Sequence, residues 1–230
     1  MLVITGCLIL AFGWFGFNPG STLGASTSGN LRIGAIAVNT MLASAGGMMS
    51  AMFYMWMMYG KPDASMTGNG FLAGLVAITA PRAFVNPVGA VIIGLIAGVL
   101  VCVAVAFFER VMKIDDPVGA VSVHGVCGIW GVISVGLLAD GRSNFGGAWN
   151  GVNGSVTGLF YGGDAGQLVV QLIGVSTLLG VVLSASLFLY LCGRLIRGAA
   201  GLGKVGVGRP GSAGNGCTGL PRVRPYVSGS

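Results

Sequence analysis

Charge is scarce in this sequence. Twelve Lys and Arg and six Asp and Glu among 230 residues amount to 8%, where soluble domains carry about 25%, and this excludes a water-soluble globular domain. Histidine occurs once, as His124, and no G-x-S-x-G, phosphate-binding loop or carboxylate pair within an apolar run is present. No enzymatic constellation is therefore expected, and no cofactor. The five cysteines are odd in number and form no C-x-x-C, so neither a disulfide framework nor a metal site is indicated. Nor is the net charge of +6 a nucleic-acid signal. Residues 1–193 are balanced, and the whole excess lies in Arg194, Arg197, Lys204, Arg209, Arg222 and Arg224, a basic tail that suits cytoplasmic placement better than a phosphate-binding surface.

Apolar residues and glycine occupy the room that charge leaves. Hydrophobic residues make up 54%, mean hydropathy is +0.86, and the 43 glycines follow no G-X-Y period; together these describe membrane helices packed closely through small residues. A helix that crosses a hydrocarbon core of about 30 Å needs about 20 residues with few charges, so the charges mark the loops. On that rule the chain is an all-α polytopic membrane helix bundle of six transmembrane helices, over 2–18, 33–58, 66–80, 87–108, 118–138 and 166–193. The third is short, and its end at Thr79-Ala80-Pro81 is expected to be irregular. Residues 143–163, with seven glycines and three asparagines, read as a loop. Met1–Phe17 carries no Lys or Arg and reads as a span rather than a signal peptide. An even number of spans puts both termini on one side. That side holds Lys61, Arg110, Lys113 and the six tail residues, against Arg32, Arg82 and Arg142 opposite, which predicts both termini in the cytoplasm and the chain in the inner (plasma) membrane. Residues 1–196 form the membrane domain; 197–230 form a Gly/Arg/Pro-rich basic tail expected to be disordered.

Three spacings predict helix packing: Gly16-x-x-x-Gly20, Gly70-x-x-x-Gly74 and Gly94-x-x-x-Gly98 each allow backbones to approach. Asp116-Pro117 reads as a helix cap followed by a proline in the first helical position. His124 lies within an apolar span, where an ionisable group normally faces a bundle interior or a pore and can relay a proton; the plainer reading is a neutral imidazole held by a carbonyl. Asn39 and Asn69 are costly in lipid unless bonded and are expected to face protein or a polar cavity, interhelical hydrogen bonding being the plainer role of each; if this bundle lines a pathway, Asn39, Asn69, Ser122 and His124 are the expected polar members of its face. Thr79, beside Pro81, is placed to bond carbonyls that the proline leaves free. Seven of ten methionines fall in 41–58, and Met48, Met52 and Met55 share a helical face; thioethers bind Cu(I), but with no Cys or His alongside, the stripe reads as core filler. Tyr54, Trp56 and Tyr59 read as interfacial anchors.

The run Gly13-Trp14-Phe15-Gly16-Phe17-Asn18-Pro19-Gly20-Ser21, followed in order by Ala37-Val38-Asn39-Thr40, Gly60-Lys61-Pro62, Ala73-Gly74-Leu75-Val76-Ala77-Ile78-Thr79, Asp115-Asp116-Pro117 and Val123-His124-Gly125-Val126-Cys127-Gly128, resembles the ammonium transporter (Amt/Mep/Rh) family. The resemblance covers about residues 8–196. It implies an aromatic gate at Phe17 supported by Trp14, a hydroxyl at Ser21 where ammonium is recruited, and one of two facing pore histidines at His124, with Asn69 and Thr79 along the pathway. Ammonium would lose its proton and cross as ammonia through a hydrophobic, histidine-lined pore. Family members are implied to be trimers of chains with two inverted five-helix repeats and a last helix. This chain matches the second repeat and the last helix, so the implied partners are ammonium, the bilayer, two further copies and a first half. The alternative is a non-transporting half-transporter fragment, or an ammonium-sensing or assembly partner.

Overall fold

The computed structural model describes residues 2–22, 29–114, 116, 118–141 and 156–202, with no side chains at 29–31 and 197–202. Pro117, Arg142 and the tail beyond 202 lie outside the described residues, as does most of the loop expected over 143–163. The described part is all-α, with α1 (Leu2–Gly20), α2 (Gly29–Tyr59), α3 (Ala64–Thr79), α4 (Pro87–Phe107), α5 (Cys127–Leu138) and α6 (Gly166–Leu202). A π-helical turn, Phe108–Met112, extends α4, and another, Val121–Val126, leads into α5. Five helical stretches are long and apolar enough to cross a membrane, while Ala64–Thr79 is shorter. At 1.5 Å per residue α3 spans about 24 Å, so the expected third crossing falls short of the bilayer core.

The core is built on one stripe of α2. Ala43, Gly47 and Ala51 recur every fourth residue and are all buried. A methyl group on Gly74 or Gly94 would overlap the carbonyl of Ala43, and one on Gly70 or Gly98 would overlap that of Gly47. Two glycine pairs from two helices therefore close on the same two carbonyls. The register makes α3 antiparallel to α2 and α4 parallel to it. The expected packing role of 70/74 and 94/98 is met. Gly16 and Gly20 differ: nothing lies within 4 Å of a methyl group at either, so that spacing forms no helix contact within the described chain.

Around this wedge, Ile78, Ile93, Ala97, Val101, Val123 and Cys127 complete a buried apolar cluster. Tyr54 packs against it, on the face it shares with Gly47 and Ala51. Trp56 is exposed and stacks on Phe53, centroids 6.5 Å apart. α5 joins through Gly131, set against Ala77, and through Trp130 Nε1, which donates to the Ile93 carbonyl at 3.1 Å. Helix starts are set by side chains. Asp63 accepts from the Met66 amide at 2.7 Å, and Asn86 accepts from Gly89 at 2.8 Å with Pro87 in the first turn, which satisfies amides that the helix leaves open.

The chain divides into two compact units, Met1–Val181 and Val182–Ser230. In the first, Gly136 of α5 lies against Leu168 of α6. In the second, the Arg194 guanidinium lies 6.0 Å from the Tyr190 ring centroid.

Candidate functional site

α1 and α3 run parallel, with Cys7 near Gly68 and Trp14 bonded to Thr79, so both helices end on one side of the bundle. There the indole Nε1 of Trp14 donates to Thr79 Oγ1 at 2.9 Å, and that hydroxyl donates to the Leu75 carbonyl at 2.8 Å. Thr79 thus bonds the carbonyl four residues back, the usual acceptor of a helical threonine, and not that of Ala77, which Pro81 would have used. One turn on, Phe17 meets Trp14 edge to face, centroids 6.0 Å apart, and is 59% exposed. Ser21 Oγ donates to the Phe17 carbonyl at 2.7 Å. Trp14, Phe17, Ser21 and Thr79 therefore form one cluster.

Next to it the α3–α4 connector is held by residues that sequence reasoning assigned elsewhere. Arg82, counted there only as a loop charge, donates from Nε to the Asn18 carbonyl at 3.0 Å and from its terminal nitrogen to the Thr79 carbonyl. Among the described residues no carboxylate pairs with it. Burial lowers its pKa from the ordinary value, yet a guanidinium stays charged in proteins. Asn39 Nδ2 donates to the carbonyls of Arg82 and Val85, both at 2.9 Å. Its amide replaces the helical bonds that the break after Thr79 removes. Asn18, fully buried, donates to Thr40 Oγ1 at 3.1 Å, while its Oδ1 has no hydrogen-bond partner among the described residues. A lone arginine next to a helix-breaking proline, and an Asn-Pro pair inside a helix, were the signals available for these two residues.

His124 sits deeper. Asn69 faces Gly119, and Val76 faces Gly128, so the histidine lies between those levels, roughly 10 Å below Thr79 at a helical rise. It is exposed within a π-helical turn, and among the described residues no hydrogen bond reaches its imidazole. The turn is anchored from behind by Asp116. This buried carboxylate accepts from the amides of Val121 (3.3 Å) and Ser122 (3.2 Å) and from Ser122 Oγ (3.2 Å). The carboxylate does cap, but from five and six residues upstream. Asn69 is half-buried, its Nδ2 3.9 Å from Met66 Sδ. Of the four polar groups considered for a pathway face, Asn39 and Ser122 are buried and satisfied inside the bundle, for Asn39 the plainer bonded role that its cost in lipid suggested.

Asn18, Asn39, Thr40 and Ser122 are buried within the bundle, while His124 is exposed on an apolar span, where an ionisable group is costly against lipid. A model of the Ammonium Transporter Family matches residues 1–198. The chain belongs to the ammonium transporter family. This family consists of multi-pass membrane transporters, not enzymes. The ammonium transporter Amt2 of Archaeoglobus fulgidus is 49% identical over 170 residues, covering 74% of this chain and 35% of that protein. The ammonium transporter of Aquifex aeolicus is 38% identical over 192 residues, 83% of this chain and 42% of that one. Among solved structures, Saccharomyces cerevisiae Mep2 aligns with a TM-score of 0.73 at 30% identity, over 81% of this chain and 40% of that chain. A Sensor Amt Protein aligns at 0.70 and 36% identity, over 84% and 43%. The chain therefore spans less than half the length of these ammonium transporter relatives.

Proposed function

We propose that this chain is the second inverted repeat and last helix of an ammonium transporter, and supplies one wall of its pathway. The observation that carries this is His124: an imidazole with no hydrogen-bond partner among the described residues, exposed midway along an apolar helix, belongs against a facing wall rather than against lipid. Above it, Phe17 on Trp14 forms the gate, with Ser21 at the recruitment site and Thr79 fixing the indole. Ammonium binds at the aromatic mouth and gives up its proton, and ammonia passes His124. Asn69 lines the lower part of the route. Moving a bare cation through an apolar bore is costly, whereas ammonia needs few hydrogen-bond partners. The complete protein assembles as a trimer in the plasma membrane. Both termini of this segment are cytoplasmic, on the charge asymmetry of its loops.

The test is His124→Ala in the complete transporter. Methylammonium uptake, or the protons moved with it, should change at least tenfold while assembly and melting temperature hold, since an exposed unbonded side chain contributes little stability. Wild-type uptake and coupling would refute the assignment. A second reading, ammonium sensing, is supported by the likeness to the Sensor Amt Protein. It predicts ammonium-dependent protection of this segment without net flux.

A further inference from the structure

Arg82 is the unusual charge in the described fold. It lies between α3 and α4, is half-buried, and spends its donors on carbonyls at two helix ends. One is the carbonyl of Asn18, the residue after Phe17, in the last turn of α1; the other is that of Thr79, the last residue of α3 and the partner of Trp14. The C-terminal end of a helix carries partial negative charge, and two such ends meeting beside an aromatic pair would attract any cation. A fixed guanidinium there cancels that attraction and repels a second positive charge. Arginines and helix ends set such electrostatic barriers in pores that pass neutral solutes.

We infer that Arg82 is a selectivity and positioning residue of the pathway: it holds the ends of α1 and α3 in register beside the Trp14–Phe17 pair, and its positive charge opposes the passage of ammonium as a cation. The inference rests on the transport reading above and adds to it a source of discrimination between the charged and the neutral species. Asn39 belongs to the device, because its amide grips the Arg82 carbonyl and fixes the backbone from which the guanidinium reaches both ends.

The experiment uses the complete transporter carrying this segment, in proteoliposomes, with ammonium as the probe. Charge moved is recorded on a supported membrane, and total uptake of isotopically labelled substrate is measured in parallel. Arg82→Gln keeps donors and loses charge; Arg82→Lys keeps charge and loses the planar fork. The charge-to-uptake ratio should rise roughly three- to tenfold in Arg82→Gln, as expected for removing a unit charge at close range, and stay at the wild-type value in Arg82→Lys. Both variants should lower total uptake, since each loses a carbonyl bond. Equal ratios in the two variants would overturn the inference. Ala83→Glu, which keeps Arg82 and offsets its charge from the next residue, should raise the ratio as well. It decides the matter if Arg82→Gln does not assemble: an unchanged ratio in Ala83→Glu overturns the role of charge. A wild-type transporter that takes up no ammonium would overturn the transport reading itself, a separate result.

Discussion

The glycines of α1 and those of α3 and α4 are the same residue put to opposite use. Gly70, Gly74, Gly94 and Gly98 each press on an α2 carbonyl, so close that a methyl group on any of them would collide with backbone. Gly6, Gly13, Gly16 and Gly20 of α1 meet nothing within 4 Å. The first set is a closed interface, where small size brings helices into van der Waals contact, the main attraction available to apolar helices in lipid. The second is an open face, on the helix that also bears the exposed Phe17. The wedge holds the chain together, and the pathway is proposed to run past side chains left exposed, Phe17 on α1 and His124.

The largest expected effect concerns the open face. Liposomes containing this chain alone should carry no His124-dependent ammonia flux, measured as internal pH change against empty vesicles; robust conductance would mean that the open side closes without a facing half. Next comes the wedge. Gly94→Ala puts a methyl group 2.8 Å from Ala43 Cα as well as onto its carbonyl, and should cost about 3 kcal/mol, seen as loss of folded protein or a lower melting temperature in detergent. Asn39→Ala should cost about 2 kcal/mol, because two connector carbonyls lose their donor. A melting temperature equal to wild type would mean that water replaces the amide. Trp14→Phe should cost about 1 kcal/mol through the lost bond to Thr79, and should broaden the response of uptake to substrate concentration by loosening Phe17. The smallest effect is Gly13→Ala, within about 0.5 kcal/mol in the lone chain. A large loss there would erase the distinction between the two sets of glycines.

Much of the fold was legible because charge is so rare. Lys61 and Asp63 bracket the α2–α3 turn, and Arg82 marks the break before α4. Ends without charge nearby were harder to read: α2 begins at Gly29 and runs through Arg32, and α6 continues to Leu202, past the boundaries that charges alone suggested. Trp14, Phe17, Ser21 and Thr79 were singled out by the order of their motifs, yet the partners of the buried polar residues were not. In water, polarity points outward and periodicity reveals the core; in a bilayer both faces of a helix are apolar, so the cost of an unbonded amide says that Asn39 needs a partner but not that it is the pair of connector carbonyls, and Ser122 gives no sign of the Asp116 carboxylate. Arg82 was missed for a related reason. A loop charge is counted toward topology, and nothing in its neighbours shows that its fork reaches two helix ends.

The sharing of Ala43 and Gly47 by two helices also sets a timetable for biogenesis. The α2 stripe leaves the ribosome about fifty residues before the α4 glycines that must close on it, an interval of roughly 3–10 s at ordinary synthesis rates. During that time α3 can dock on one side while the other side of the stripe has no partner. A slow stretch of translation after α4, or an insertion factor that shelters small-residue faces, would favour the correct pairing, and pausing before α4 would expose the stripe to any other glycine-rich helix in the membrane.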